Sequence, residues 1–326
     1  MQHRIARLTL LVCLLPALLA TACTDAAGPK DTATGDDTGD APVWPPDPAT
    51  YDCRAPGQPD RVNTVPMDCM TDRSCETLLV SGHRGMGGTF GVIAPEDTVS
   101  AVYAAIAFGV DYVETDPRPT ADDHLVNLHD DDVFRTTGGT GQASEMTLAE
   151  IQALPIRADA FEGDFSCERV PTLEEVLLAA KGRVHVLIDA NKTNRVDLLV
   201  QAVVETDTFD EAIFDTSSVE KIDEALALEP SLHTMIRVDD ATQLADQLAH
   251  FADHPPVIVE IEELTAEQAV DVLAAGHRPL MDTFITDIAA NGEAGLPAYD
   301  PVWEAGVVII QTERPERVLE ALGRTP

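Results

Sequence analysis

Between Leu78 and Leu322, short apolar and β-branched runs alternate with stretches that carry helix-start signals. This alternation constrains the fold more than any other feature of the chain. The runs occupy residues 78–80, 110–113, 124–128, 184–189, 212–215, 235–238, 257–261, 280–285 and 307–311. Helix signals fall between most of them. Val99, Val102, Tyr103 and Ile106 follow Thr98 at the i, i+3, i+4, i+7 spacing of one helical face. Thr147 with Glu150, Thr172 with Glu175 and Ser217 with Glu220 have the spacing of capping boxes. Repeated strand–helix units over about 245 residues predict a single-domain α/β fold, a (β/α)8 TIM barrel. Nine runs are one too many, so one of them lies outside the barrel or is not a strand. An open doubly wound sheet is the alternative, but no Gly-rich nucleotide loop follows the first run.

Three successive runs end in ionisable residues. His83-Arg84-Gly85 closes the first, Glu114-Thr115-Asp116 the second and His129-Asp130 the third. In a parallel barrel the carboxyl ends of the strands meet on one face, where side chains from different strands can act together. Glu114 and Asp116, two apart on a strand, point the same way, and Asp189 at the end of the fourth run supplies a third carboxylate. An all-oxygen donor set suits one divalent cation, Mg2+ or Ca2+, better than zinc. His83 and His129, ending the runs on either side of the second, are candidates for an acid/base pair, because imidazole titrates near neutrality. His185, His233, His250, His254 and His277 are read as structural. Arg84 offers a planar fork for phosphate oxygens. The chemistry expected is metal-assisted attack on a phosphate ester. The long gap from His129 to Val184 is read as a lid or insertion over that face.

Ahead of the repeated units lies a different kind of sequence. Residues 1–22 read as an export signal: Arg4 and Arg7 precede an apolar stretch, Leu8 to Ala22, too short to span a bilayer. Leu19-Ala20-Thr21-Ala22-Cys23 resembles a bacterial lipobox, which implies that Cys23 is lipidated and anchors an exported protein to a membrane. Residues 23–50 are rich in Asp, Thr, Gly, Pro and Ala and read as a disordered acidic tether. Residues 51–77 form a Cys-containing lead-in, and residues 78–322 the catalytic barrel. Cys53, Cys69, Cys75 and Cys167 remain after the signal and anchor, an even number that points to two disulfides of undetermined pairing. The net charge of −36, two units more negative without Arg4 and Arg7, speaks against nucleic-acid partners.

Taken together, the motifs resemble the glycerophosphodiester phosphodiesterase family of the phospholipase C-like phosphodiesterases. The matching stretches, in order, are His83-Arg84-Gly85, Ala94-Pro95-Glu96-Asp97-Thr98, Glu114-Thr115-Asp116, His129-Asp130, Arg135-Thr136-Thr137-Gly138-Gly139-Thr140-Gly141, residues 147–151, residues 171–177 and Ile309-Ile310-Gln311-Thr312-Glu313-Arg314-Pro315. The resemblance implies a barrel hydrolase that cuts glycerophosphodiesters to sn-glycerol 3-phosphate and an alcohol with Mg2+ or Ca2+. It implies His83 and His129 as acid and base, Arg84 as phosphate clamp, and Glu114 and Asp116 as metal ligands. A small or lipid-derived phosphodiester is the implied substrate. Three departures stand out. Asp97 replaces an asparagine. The fourth run ends Asp189-Ala190-Asn191-Lys192 where the family has Glu-x-Lys, so Lys192 comes one residue late. Either the strand breaks at Ala190 and Lys192 swings in, or the phosphate loses a cation. An aromatic motif near the seventh strand is replaced by Asp282-Thr283-Phe284-Ile285-Thr286-Asp287. These changes leave room for a phospholipase D-like or phosphoinositide phospholipase C-like activity, and for a non-catalytic surface lipoprotein with a degenerate barrel.

Overall fold

The computed structural model describes residues 43–261, 266–292 and 294–325. The expected signal peptide, Cys23 and the tether up to residue 42 lie outside the described residues. Ten strands are present among those described: β1 Leu79–Gly82, β2 Tyr112–Thr115, β3 Pro117–Pro119, β4 Leu125–Asn127, β5 His185–Asp189, β6 Ala212–Thr216, β7 His233–Val238, β8 Ile258–Ile261, β9 Arg278–Asp282 and β10 Ile309–Thr312. Eight of them close a parallel barrel in the order β1-β10-β9-β8-β7-β6-β5-β2. A helix follows each barrel strand, from Val99–Phe108 after β1 to Pro315–Ala321 after β10.

The supernumerary run is the third. β4 pairs antiparallel with β3, Arg118 opposite Val126, in a hairpin outside the barrel. The physical reason is the company it keeps: Val126 and Leu128 are buried with Val133, Ala143, Ile151 and Val170 in a small core of their own. The stretch from Pro117 to Thr172 is therefore an insertion between β2 and its helix Leu173–Ala180. The premise that His129 closes a barrel strand is corrected accordingly. The run at 280–285 is also shorter than expected. β9 ends at Asp282, whose carboxylate accepts from the Phe284 amide (2.9 Å), and the helix Phe284–Asn291 begins there.

Local signals act where the sequence places them, with one shift. Thr98 caps Val99–Phe108, and Gly109 ends that helix at φ 82°, a left-handed conformation that glycine adopts without a Cβ clash. Thr147 and Thr172 form complete capping boxes. Ser217 does not cap. Ser218 accepts from the Lys221 amide instead, while Ser217 donates to Asn191 Oδ1.

Strand parity divides the barrel into layers. Leu79, Tyr112, Leu187, Ile213, Met235, Ile258, Leu280 and Ile309, one from each barrel strand, pack in a single cluster with Cys69 and Met70. Their alternates, among them Val80, Val113, Val186 and Ile310, pack in the larger cluster with the helices. Two residues further along each strand the inward side becomes polar, from Ser81 and Glu114 round to Asp282 and Gln311. The barrel is thus sealed by one apolar layer and polar above it.

The lead-in closes the lower end. The turn Met67–Met70 is stapled by Cys69–Cys75, and its carbonyls accept from Tyr112 OH (2.7 Å) and Arg278 Nη1 (2.6 Å). Cys53–Cys167 ties the lead-in to the β2 insertion. Packing begins before Tyr51, within the stretch read as tether. Trp44 stacks edge-on against Phe108 with ring centroids 5.0 Å apart, because the indole finds an apolar surface to cover. Among the described residues, no helix is long and apolar enough to cross a membrane.

Candidate active site

Three buried carboxylates converge at the carboxyl end of the barrel. Glu114 on β2, Asp116 just beyond it and Asp189 at the end of β5 each offer an oxygen within 4.8 Å of the others. β2 and β5 are neighbours in the barrel, because β3 and β4 leave it, and that adjacency brings Asp189 to the pair. Burial first, then Asp116 and Asp189, push the Glu114 carboxyl well above the usual carboxylate range. Asp116 Oδ2 is buried with no hydrogen-bond partner. Crowded acids with an oxygen left over are what a hard cation neutralises, and the all-oxygen donor set fits Mg2+ or Ca2+.

Cations surround the three acids. The Arg84 amide donates to Glu114 Oε2 (2.9 Å), and its guanidinium reaches Glu96 (3.1 Å) and Asp116 (3.6 Å). Lys192 is in the site. The chain breaks from β5 into the single turn Ala190–Lys192, with Asp189 Oδ1 accepting from the Asn191 amide (2.8 Å). That turn carries Lys192 Nζ to 3.3 Å from Asp116 and 3.9 Å from Asp189. Of the two outcomes open for the displaced lysine, the inward swing is the one that occurs.

Each candidate histidine is held by a carboxylate. His83 Nδ1 meets Glu313 Oε1, and Nε2 lies 3.8 Å from Glu114. Burial alone lowers the His83 pKa, but the Glu313 contact and the nearby Asp282 carry it above its ordinary value. His129 comes from the insertion. Its backbone carbonyl accepts from Arg118 Nε (3.1 Å), and its Nδ1 meets Asp130 Oδ1 (2.9 Å). Asp130 in turn accepts from Arg135 Nε (2.6 Å). Burial works against that carboxylate, but Arg135 and His129 hold it down at about 2. His129 itself is lowered, mainly by burial.

Two residues of the site, Glu313 and Arg237, were not singled out in the sequence, and a third, Asp97, was noted there only as a departure. Glu313 sits 230 positions from the histidine it orients. Its only signal was its place at the end of the last strand, in a stretch already matching the family. Arg237, on β7, binds Asp215 (2.6 Å) and Glu260 (3.0 Å) and lies 3.6 Å from Asp189. One arginine inside an acidic ring is a parity argument that the strand assignments supported. Asp97 stands at φ 55°, accepting from Thr115 Oγ1 (3.2 Å) and the Asp116 amide (3.3 Å). Burial first, then Asp116, Glu114 and Glu96, push its carboxyl far up. Both contacts go to Oδ1, and Oδ2 is buried without a hydrogen-bond partner.

With this geometry in view, the comparisons with known proteins are specific. Residues 83–296 match the glycerophosphoryl diester phosphodiesterase family. The chain belongs to that family. A putative glycerophosphodiester phosphodiesterase of Bacillus subtilis is 37% identical over 115 residues, 34% of this chain and 44% of the relative. A glycerophosphodiester phosphodiesterase of Caldanaerobacter subterraneus is 42% identical over 98 residues, 30% of this chain and 38% of the relative. The chain thus spans less than half the length of these curated relatives. Among solved structures, a glycerophosphoryl diester phosphodiesterase from Parabacteroides distasonis superposes with TM-score 0.69 at 22% identity, covering 81% of this chain and 93% of the other. An Oleispira antarctica phosphodiesterase in complex with the product sn-glycerol-3-phosphate superposes with TM-score 0.61 at 22% identity, covering 75% and 96%. These two likenesses speak to the fold. The phosphodiesterase family frame fits the closed eight-stranded barrel and excludes the open doubly wound sheet.

Proposed function

We propose that this chain is a divalent-metal-dependent phosphodiesterase that hydrolyses glycerophosphodiesters to sn-glycerol 3-phosphate and an alcohol. The observation that carries the reading is the meeting of Glu114, Asp116 and Asp189 with Arg84, Lys192 and two carboxylate-held histidines at one barrel mouth. A binding module has no physical need for that whole set. Family membership and the product held by the Oleispira relative support the same reading.

Glu114, Asp116 and Asp189 would hold the cation, which when bound neutralises charge on the phosphoryl oxygens. Arg84 and Lys192 flank the acids and would take phosphate oxygens, Arg84 as a fork and Lys192 as a point charge. Glu313 and Asp130 accept from Nδ1 of His83 and His129, which directs each Nε2 outward to move a proton. One imidazole takes the proton from the attacking oxygen and the other protonates the leaving alcohol. We further propose that residues 1–22 direct export and that lipidated Cys23 anchors the protein to a membrane.

The test is release of sn-glycerol 3-phosphate from glycerophosphocholine by the purified full chain. Chelator should abolish it, and Mg2+ or Ca2+ should restore it. His83→Ala and His129→Ala should each lower kcat by about 10²-fold or more. Turnover that survives both substitutions together sinks the mechanism. Absence of metal-dependent turnover with any phosphodiester sinks the function.

A further inference from the structure

Glu96 has none of the roles assigned so far, yet it lies between Arg84 and the insertion that carries His129. It sits in the loop between β1 and the helix Val99–Phe108, with its side chain 9% exposed. Hydrogen bonds fix that loop against the end of the first strand. The Asp97 amide donates to the Arg84 carbonyl (3.0 Å), and Thr98 Oγ1 donates to the Pro95 carbonyl (2.8 Å). Backbone held on both sides of Glu96 keeps its carboxylate in one place.

Arginines engage both Glu96 oxygens. Arg135 makes a fork, Nη1 to Oε2 and Nη2 to Oε1, each at 2.6 Å. Arg84 Nη1 donates to the same Oε1 at 3.1 Å. Burial works against the Glu96 carboxylate, but Arg135 and Arg84 hold it below the usual range. The remaining arm of Arg135, Nε, donates to Asp130 Oδ2 (2.6 Å), and Asp130 Oδ1 meets His129 Nδ1 (2.9 Å). Arg84, Glu96, Arg135, Asp130 and His129 therefore form one unbroken line of alternating charge. It starts at the residue read as the phosphate clamp and ends at the imidazole of the insertion. A planar guanidinium that grips two carboxylates at once fixes their relative position as well as their charge.

We propose that Glu96 and Arg135 are positioning residues: together they fix the distance between Arg84 and His129, so that the phosphate clamp and the imidazole of the insertion act on one phosphodiester. The proposal rests on the phosphodiesterase reading and adds two residues to it. The need for them follows from the fold. His83 directly follows the barrel strand β1, and its amide donates to the Thr312 carbonyl (3.0 Å), so barrel register places it. His129 follows the hairpin strand β4, outside the barrel, and no barrel register reaches it. The line through Arg135 and Glu96 supplies the missing reference. A displacement of about 1 Å at a reacting group is enough to cost about a hundredfold in rate.

The experiment uses the full chain loaded with Mg2+, with glycerophosphocholine as substrate. Arg135→Met should lower kcat by about tenfold to a hundredfold with little change in KM, because His129 loses its reference while Arg84 keeps Glu96. Glu96→Gln should lower kcat and raise KM, because both ends of the line lose their hold. Arg135→Lys should recover little, since a point charge cannot span Glu96 and Asp130 together. A second readout separates positioning from mere docking of the insertion: titration of His129, followed by the imidazole NMR signal that His129→Ala removes. Loss of the Arg135 cation should raise the His129 pKa, and loss of the Glu96 anion should lower it. Asp116, Arg84 and Lys192 also act on that imidazole and are present in both variants. A lower melting temperature in Arg135→Met with kcat and the titration unchanged overturns the proposal. So does full activity in Arg135→Lys, or a His129 shift of the same sign in both variants. Any of these in an enzyme that turns over glycerophosphocholine defeats the proposal alone. No turnover of any phosphodiester by the native chain defeats the functional reading beneath it as well.

Discussion

Glu313 shows how much of this site depends on single contacts. Its carboxylate accepts from the Phe90 amide with one oxygen and meets His83 Nδ1 with the other. Its own amide donates to Asp287 Oδ2 (2.8 Å), and Asp287 also accepts from Thr312 Oγ1 (2.6 Å) and Tyr299 OH (2.7 Å). The loop facing it leaves little space for a side chain at Gly88. A Cβ at Gly88 would lie 3.0 Å from Glu313 Oε1 and from Arg84 Cδ. Glu313→Gln keeps the shape and removes the charge that aligns the imidazole. It should lower kcat by about tenfold to a hundredfold with little change in KM. In the His83→Ala background the same substitution should cost almost nothing, because it acts through His83. Steady-state kinetics of the four enzymes checks this, and additive losses would show that Glu313 acts independently.

At the scale of elements, the insertion after β2 delivers His129, Asp130 and Arg135, and the barrel delivers everything else. Arg135 joins the insertion to Glu96 of the barrel (2.6 Å), and the Cys53–Cys167 bridge ties it to the lead-in. That bridge spans 114 positions, whereas Cys69–Cys75 spans 6. Loop-closure entropy makes the longer bridge worth about 5 kcal/mol and the shorter about 2 kcal/mol. Cys53→Ser with Cys167→Ser should therefore lower the urea midpoint more than Cys69→Ser with Cys75→Ser. Equilibrium unfolding of both pairs measures the difference. The reverse order would show that the barrel floor depends on its staple for packing rather than for chain entropy.

For the whole molecule, acidity and stability meet at the barrel floor. His185, on β5, is buried with Nδ1 unpartnered and its ring 6.0 Å from Tyr112. Burial first, with His233 nearby, pulls its pKa from 6.5 to about 3. Between those values the unfolded chain binds a proton that the folded chain does not. Stability from this residue is intact above 6.5 and is lost as pH falls toward 3, by about 1.4 kcal/mol per unit. Protonation of the many surface acids changes stability over part of the same range, so the comparison must be between variants. Urea unfolding of wild type and His185→Phe from neutral pH down to about pH 4 should show the wild type losing more stability. Parallel curves would refute the assignment.

Much of this was legible beforehand because its causes are local. Period-2 patterning, helix caps and polar strand ends are written within a few residues of one another. They were enough for a barrel, for the Glu114 and Asp116 pair and for both histidines. They could not exclude the third run, since β4 has the pattern of a barrel strand and differs only in the core it packs against. Nor could spacing place Lys192, whose side chain enters because the strand breaks at Ala190. Glu313 meeting His83, Arg237 inside the acidic ring and Phe90 beside Phe284 are contacts between residues distant in sequence. Local chemistry determined which residues could form a site at the strand ends; closure of the barrel decided which of them meet, because only closure brings the first strand against the last.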